Sequence, residues 1–315
     1  MKARARKRVV RIAAWLGEIA LLCGALWVLR RQLRGVSLHE TLLELRSLPA
    51  DRVGMSLLLT VAGYLVFAAY DLVALRHLER SLSLGRVIIS SFIGAALANN
   101  APLSFLVGGS VRYRLYSSWG LPAKDTTALV LLNVLTYALG LATAAALAFT
   151  LEPEIVPRVL HLPFHSTRPL GWAAVAGVLA YLAWSVSRKR LRVGRWSVAP
   201  LSLPMSLLQI AVSLADWILS GAALFVLLPG VYAVPYFGFF GLFILSQIAA
   251  LIAQVPGGLG VFEAVMLATL VPPLSVRALF GALLAYRVIY FFLPLVLAAV
   301  LLGSREIARW RRPKT

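Results

Sequence analysis

Cysteine and histidine are scarce in this 315-residue chain, which narrows the chemistry that it can carry out. The single cysteine, Cys23, excludes an internal disulfide and a cysteine-based metal cluster, and we interpret it as a packing residue. The four histidines are scattered through predicted loops: His39, His77, His161 and His165. Pro163 lies between the last two and disfavours the helix that would turn both toward one ion. We therefore predict neither a metal site nor a cofactor.

Motifs of common enzyme classes are also missing. The chain contains no G-x-x-x-x-G-K-[ST] phosphate-binding loop and no H-E-x-x-H zinc motif, and its residues suggest no Ser–His–acid set. We therefore do not predict an enzyme. One alternative stays open, an integral-membrane transferase that acts on lipid-linked substrates with Glu263 or Asp216 as its general base.

Acidic residues are few, with 12 Asp and Glu against 31 Lys and Arg. The basic residues form short clusters beside long apolar runs, a pattern typical of the cytoplasmic loops of membrane proteins. This placement favours membrane topology over nucleic-acid binding as the reason for the charge. Such clusters also attract anionic phospholipid headgroups, which we predict as the partners of the chain.

Hydrophobic residues make up 60% of the chain, well above the roughly 45–50% of a soluble domain. The apolar runs are long and continuous, which favours helices over the short alternating strands of a barrel. We predict an all-α integral membrane protein, a single polytopic bundle of about 6–8 spans over residues 1–315. Residues 12–29 would form the first span. The basic segments 1–11 and 303–315 predict that both termini are cytoplasmic.

Residues 87–116 form the first of two interrupted membrane segments. The apolar run 87–98 is too short to span and meets Asn99-Asn100-Ala101-Pro102, which would end an ordinary helix. We predict a re-entrant hairpin that enters from the cytoplasmic side. The flanking charges support it, because the loop 152–169 looks external and the basic run 188–195 looks cytoplasmic only if residues 87–116 return to their starting side.

The second interrupted segment, residues 236–273, centres on Gln254-Val255-Pro256-Gly257-Gly258-Leu259-Gly260-Val261-Phe262-Glu263. A glycine-rich break that opens a helix aims free N–H groups and the positive end of the helix dipole at a polar or anionic group. Two interpretations stay open, a half-helix tip near the bilayer midplane and a loop at the membrane surface. The charges around the segment place both of its ends outside.

Two interrupted segments that enter from opposite faces predict an inverted repeat with a site where their tips meet. Each segment follows a span that carries an acid, Asp71 in the first case and Asp216 in the second. We interpret Asp71 as half of a surface ion pair with Arg76 or Arg80. No sequence identity between the halves is obvious, so the repeat rests on topology alone.

Two groups of basic residues are candidates for a binding role. Arg287, Tyr290 and Pro294 share one face of the last span, and the natural partner of a buried Arg287 is Glu263. The alternative is that Arg287 reaches the outer headgroups. Gly108-Gly109 followed by Arg112 and Arg114 suits a phosphate, although a plain cytoplasmic basic cluster stays open.

Two blocks of this sequence resemble a known family. They are residues 99–116 and 255–263, the latter together with Arg287, Tyr290 and Pro294. They are similar to the transmembrane domain of bacterial lysylphosphatidylglycerol synthases, the multiple peptide resistance factor family, and to its uncharacterised stand-alone relatives. The resemblance covers nearly the whole chain. In the full-length enzymes this domain is taken to flip aminoacylated phosphatidylglycerol to the outer leaflet, while a C-terminal soluble domain attaches the amino acid.

The resemblance implies a lipid flippase of the bacterial inner membrane that moves a phospholipid, such as aminoacylated phosphatidylglycerol, between leaflets. The chain stops soon after its last predicted span, so we expect it not to act as a synthase by itself. A second possibility is a membrane partner subunit of a separately encoded lipid-modifying enzyme. The predicted headgroup-binding residues are Asn99, Asn100, Pro102, Gly108, Gly109, Arg112, Arg114, Gln254, Pro256, Gly257, Gly258, Gly260, Glu263, Arg287 and Tyr290.

Overall fold

A computed structural model describes residues 48–101, 104–160, 165–193, 196–228, 235–271 and 274–310. The predicted first span, residues 12–29, and Pro102 lie outside these ranges. The elements in chain order are α1 (Ala50–His77), α2 (Leu84–Asn99), α3 (Ser104–Ser118), α4 (Ala123–Leu151), α5 (Ile155–Leu160), α6 (Arg168–Ser187), strands β1 (Leu191–Val193) and β2 (Trp196–Val198), α7 (Leu203–Phe225), α8 (Tyr236–Ala253), a 3₁₀ turn (Pro256–Gly258), α9 (Val261–Leu270), α10 (Val276–Tyr286), a π-helical segment (Arg287–Phe292) and α11 (Leu293–Trp310).

Six helices of the described part are long and apolar enough to cross a membrane. They are α1, α4, α6, α7, α8 and the continuous helix formed by α10, the π segment and α11. This confirms the predicted polytopic helical membrane protein. The described strands are confined to one antiparallel pair, β1 and β2, in the connection between α6 and α7.

The helices form two inverted halves. The first half is α1, the α2–α3 pair and α4, and the second is α7, the α8–α9 pair and the last span. α1 and α7 run antiparallel, since the hydroxyl of Ser56 donates to the carbonyl of Ala223 while Tyr70 reaches Asp216. The two pairs of helices therefore start from opposite ends of the molecule. Each hairpin also packs on a helix of the other half, because α2 packs on α11 and α8 packs on α4.

The first hairpin, α2 and α3, is the predicted interrupted segment. Its helices contain 16 and 15 residues, about 24 Å or less in length, which is short of the roughly 30 Å hydrocarbon core. The chain turns at Asn100 and Ala101, and the helices pack closely at two glycines. A Cβ on Gly108 would lie 3.0 Å from the Gly94 carbonyl oxygen, so larger residues there would separate the helices.

The second hairpin is α8, the 3₁₀ turn and α9. Gln254 ends α8 with φ of 52°, and Gly257, Gly258 and Gly260 have φ of 59°, 64° and 81°. Glycine adopts this left-handed region at little steric cost, which explains the glycine-rich sequence of the turn. The ten-residue α9 then returns along α8, and the rings of Phe243 and Phe262 meet edge to face.

Basic residues gather at one end of the bundle. Arg86, at the start of α2, and Arg305, near the end of α11, both lie over the ring of Trp119. The run 188–190 belongs to the same end, since it follows α6 and the hydroxyl of Ser185 contacts that of Ser206 near the start of α7. This is the charge distribution that the cytoplasmic end of a membrane protein shows.

Candidate functional site

The tips of the two hairpins meet inside the bundle. A Cβ on Gly257 would lie 3.3 Å from the carbonyl oxygen of Asn99 and 3.6 Å from Nη1 of Arg287. Arg287 is eleven residues beyond Val276, about 17 Å along a last span of 30 residues. The turn in the second segment thus contacts both the first hairpin and Arg287 of the last span, which favours the half-helix tip over a loop at the membrane surface.

Arg287 holds the tip of the second hairpin. Its Nε donates to Oε1 of Glu263 at 2.5 Å and its Nη1 donates to the carbonyl of Gly257. Its guanidinium also lies 4.6 Å from the ring centre of Phe291. With 4% of Arg287 exposed, the predicted pair with Glu263 is confirmed, and the alternative that Arg287 reaches the outer headgroups is wrong.

Glu263 serves two groups at once. Its Oε1 accepts from Arg287 and its Oε2 accepts from the backbone N–H of Gly260 at 2.7 Å, at the start of α9. A carboxylate at this place satisfies an otherwise free N–H and interacts favourably with the helix dipole. The glutamate thus connects the glycine turn, the return helix and the last span.

The last span contains a π-helical segment where the hairpin tips touch it. Pro294 has no N–H to donate, and the residues before it form the π segment. Two carbonyls of this segment accept side-chain bonds instead: Tyr290 from the hydroxyl of Tyr64 at 3.1 Å, and Phe291 from Nδ2 of Asn100 at 3.2 Å. Asn100 therefore ties the first tip to the last span, as Arg287 ties the second.

The predicted surface ion pair of Asp71 is wrong. Asp71 is completely buried and accepts bonds from three residues, from Nε of Arg112 at 3.1 and 3.2 Å, from the hydroxyl of Tyr116 at 2.5 Å and from Nδ2 of Asn133. Arg80 pairs with Asp125 at the molecular surface. The Asp71 cluster joins α1, α3 and α4, so it fixes the second helix of the first hairpin to the bundle.

A cavity of about 560 Å³ lies between the two tips and helices α1, α4 and α7. Predicted site residues contribute to its wall in both hairpins: Asn99, Gly108, Gly109, Arg112, Gln254, Gly257, Gly258 and Tyr290. Others support the wall from behind, since Asn100, Glu263 and Arg287 bond to the tips, and Pro256 and Gly260 belong to the same turn. The exposed side chain of Arg114 is not part of this wall.

The cavity opens sideways between the helices. Phe105, Val134 and Leu251 line it and are themselves exposed on the outside of the bundle. Phe105 and Leu251 are at the hairpin tips and Val134 is near the middle of α4, so the opening is at mid-depth, framed by apolar side chains. Apolar side chains therefore frame a cavity whose wall contains a few polar groups, among them Asn99, Arg112 and Asp216.

Asp216 is the acid inside this cavity. It is 3% exposed, and its Oδ2 accepts from the hydroxyl of Tyr70 at 3.0 Å. Its Oδ1 has no hydrogen-bond partner among the described residues. The sequence showed an acid on the span before the second hairpin, but it did not indicate that one carboxylate oxygen would be buried without a hydrogen-bond partner.

Several residues of the site were missed from the sequence. Asn133 completes the Asp71 cluster, Tyr64 and Tyr70 connect α1 to the last span and to α7, and Gln247 lines the cavity. Each is a polar residue within a long apolar helix, and that pattern was the available signal. No three acidic, histidine or cysteine residues of the described part are grouped to hold a metal ion.

Taken together, the site defines a class of membrane protein, a helical bundle of two inverted halves whose broken helices meet at a central cavity. The family is shown by comparison of the sequence. Residues 15–298 match the model of the lysylphosphatidylglycerol synthase transmembrane region, so the chain belongs to that family.

Three relatives indicate the breadth of the family. The chain is 36% identical to the uncharacterized protein slr0712 of Synechocystis, over 88% of this chain and 86% of that protein. It is 36% identical to inner membrane protein YbhN of Escherichia coli, over 77% and 76%. It is 26% identical to a phosphatidylglycerol lysyltransferase of Staphylococcus aureus, over 90% of this chain but 33% of that enzyme.

Proposed function

We propose that this protein moves phospholipids between the leaflets of a bacterial inner membrane. The observation that carries the proposal is the cavity between the hairpin tips, which lies at mid-depth and opens sideways between apolar residues. A lipid could place its headgroup in such a cavity while its acyl chains stay in hydrocarbon. Without a pathway of this kind, each charge of the headgroup would meet a barrier of several kcal/mol in the bilayer core.

The wall of the cavity suits a phosphate. Gly109 and Gly257 bring partly exposed backbone to the wall from the two hairpins, and Arg112 adds a guanidinium that Asp71 holds in place. Because Asp71 neutralises much of that charge, Arg112 would attract a headgroup without trapping it. Phosphatidylglycerol, free or aminoacylated, is the substrate that we propose, since relatives of the family are named phosphatidylglycerol lysyltransferases.

The orientation follows from charge. The end that carries Arg86, Arg305 and the run 188–190 would face the cytoplasm, so the first hairpin would enter from inside and the second from outside. The inner membrane is proposed because the similar Escherichia coli protein carries that location in its name. Both termini would then be cytoplasmic.

The test is leaflet-resolved transport by purified protein in phosphatidylcholine vesicles that carry a little fluorescent phosphatidylglycerol. Dithionite destroys the dye in the outer leaflet alone, so transport is seen as bleaching of the inner pool. Val134→Trp, at the opening, should slow transport by about tenfold or more, a barrier increase of ~1.4 kcal/mol. Leu179→Trp, on the exposed face of α6, is the matched control and should transport normally.

The outcome that rejects the proposal is wild-type protein that bleaches no faster than empty vesicles, or a Val134→Trp variant that transports as fast as Leu179→Trp. Absence of transport together with stable co-purification of a lipid-modifying enzyme would favour a partner subunit. Product formed by the purified protein from a lipid and an activated donor would favour a transferase.

A further inference from the structure

We propose that Asp216 is a proton-binding site, and that binding of an anionic headgroup in the cavity is linked to protonation of this carboxyl group. The inference rests on the proposed function, because it adds an energy source to the same lipid pathway. It begins from one atom, Oδ1 of Asp216, which is buried and has no hydrogen-bond partner among the described residues.

A buried carboxylate is usually paired with a cation, but the groups around Asp216 are mainly tyrosines. From α1, Tyr70 donates its hydroxyl to Oδ2, and from α4 and the π segment, Tyr137 and Tyr290 line the same cavity. Tyr286 of α10 bonds to Ser220, and Gln247 of α8 lines the cavity as a neutral amide. Within the ranges that the structure describes, no ion pair joins Asp216 to Arg, Lys or His.

The cations closest to this region in the fold have other partners. Arg112 lines the cavity but donates to Asp71, and Arg287 donates to Glu263 and to Gly257. From α6, Tyr181 bonds to Gln209 of α7, away from Asp216. An ionised carboxylate with one hydrogen-bond donor in a low-dielectric site is costly, so a further negative charge nearby favours its protonated form.

The cavity supplies the route for the proton. Asp216 lines it, so a hydronium ion in the cavity can give its proton to the carboxyl group and leave as water. The resulting acid is neutral and can donate a hydrogen bond to an oxygen of the headgroup. In the reverse step the O–H bond breaks, the proton passes to water, and the carboxylate keeps the electron pair.

An anionic headgroup makes protonation more favourable. A phosphate and an ionised Asp216 in one cavity would repel each other strongly, since water no longer screens them as it does in solution. The loaded state should therefore hold one more proton than the empty state. One proton would accompany each phosphatidylglycerol, so a gradient of pH across the membrane would bias the direction of lipid movement away from the acidic side.

The test measures proton uptake when lipid binds to the detergent-solubilised protein. Short-chain phosphatidylglycerol is added in a weakly buffered solution that contains a pH dye, and binding is measured in parallel by calorimetry. We expect uptake of about one proton per lipid bound, and an apparent affinity that weakens with rising pH by up to about tenfold per pH unit. Asp216→Asn should bind lipid without proton uptake. Asp51→Asn, an exposed acid of α1, should behave as the wild type.

Two outcomes would overturn the proposal: wild-type protein that binds lipid without taking up protons, or Asp216→Asn protein that takes up as many. The first decides the matter from the wild type alone, should the variant fail to fold. The same measurements with short-chain phosphatidylcholine test the alternative that an ionised Asp216 binds the ammonium group of a lipid. If Asp216→Asn lowers the affinity for phosphatidylcholine alone, proton linkage is also rejected. Vesicle assays distinguish the two proposals, because absent transport with intact proton uptake rejects transport only.

Discussion

The leading spans of the two halves each carry a buried acid, and the two acids are treated differently. Asp71 accepts bonds from Arg112, Tyr116 and Asn133, whereas Asp216 accepts one bond from Tyr70 and its other oxygen has no hydrogen-bond partner among the described residues. The hairpin after the first acid supplies the arginine that pairs with it. In the second half the arginine comes from the last span and pairs with Glu263 of the hairpin itself. The two halves thus differ in the number of bonds that their buried acid accepts.

The largest effect is expected when the Asp71 cluster loses its cation. Arg112→Ala leaves a buried carboxylate without a counter-ion, and we expect a loss of about 3–5 kcal/mol in the free energy of unfolding. Chemical unfolding in detergent micelles measures it. The double variant Asp71→Asn with Arg112→Gln removes both charges and should be more stable than Arg112→Ala alone. Equal or lower stability of the double variant would show that the ion pair is not what the cluster needs.

The Glu263–Arg287 pair should come next. Arg287→Met leaves the buried Glu263 without its counter-ion and removes the bond to the carbonyl of Gly257. Glu263 keeps its bond from the N–H of Gly260, so we expect a loss of about 3 kcal/mol in the free energy of unfolding. Glu263→Gln can keep the Gly260 bond through its amide oxygen, but it leaves the arginine without its anion. If Arg287→Met unfolds at the denaturant concentration of the wild type, the second hairpin is held by packing alone.

The glycine turn of the second hairpin can be compared with a glycine in an ordinary helix. Gly258→Ala places a methyl group at positive φ and 2.7 Å from the Cβ of Ala250, and we expect a loss of about 2 kcal/mol. Gly177→Ala in α6 is the control, since nothing lies within 4 Å of its Cβ and its backbone is helical. That variant should be as stable as the wild type or slightly more stable. Equal midpoints for the two variants in thermal unfolding would argue against a strained tip.

Asp216→Asn should change stability by less than about 1 kcal/mol, because the amide oxygen can accept from Tyr70 and a buried charge is avoided. The comparison is with Asp71→Asn, which deprives a buried arginine of its partner. Both variants replace a buried aspartate by asparagine, so the ratio of their effects measures the difference between the halves. A loss at Asp216 as large as that at Asp71 would mean that both acids are structural.

The smallest effect belongs to the pair that replaces the predicted one. Arg80 and Asp125 contact each other at 2.7 Å, but half of the Arg80 side chain is exposed. We expect Arg80→Ala to cost less than about 1 kcal/mol, and still less at high salt. Unfolding at two salt concentrations measures it. A loss comparable to that of Arg112→Ala would contradict the division between buried and surface pairs.

Local sequence was enough to predict the broken segments and one of the two buried ion pairs. The run 87–98 is too short to span, the glycine turn cannot continue a helix, and Arg287 and Glu263 are isolated charges in apolar sequence. The first two signals lie within a few residues of sequence. The third leaves each charge with few possible partners. The contact between the tips follows from the inverted topology, and the structure shows it directly at Gly257 and Asn99.

The Asp71 cluster could not be found by proximity in sequence. Arg76 and Arg80 are near Asp71 along the chain, but its partners come from α3 and α4, which pack against α1 only in the folded protein. Arg112 and Tyr116 are four residues apart on one helix face, and that spacing was a usable hint. The π segment before Pro294 was also missed, since its geometry depends on Tyr64 and Asn100 for the carbonyls.

The packing of each hairpin on a helix of the other half has a mechanical consequence. The first hairpin rests on the last span of the second half, and the second hairpin rests on α4 of the first half. If either half tilts, it therefore moves the helix on which the hairpin of the other half packs. A single rocking motion of the two halves would therefore widen the access to the cavity from one leaflet and narrow the access from the opposite leaflet.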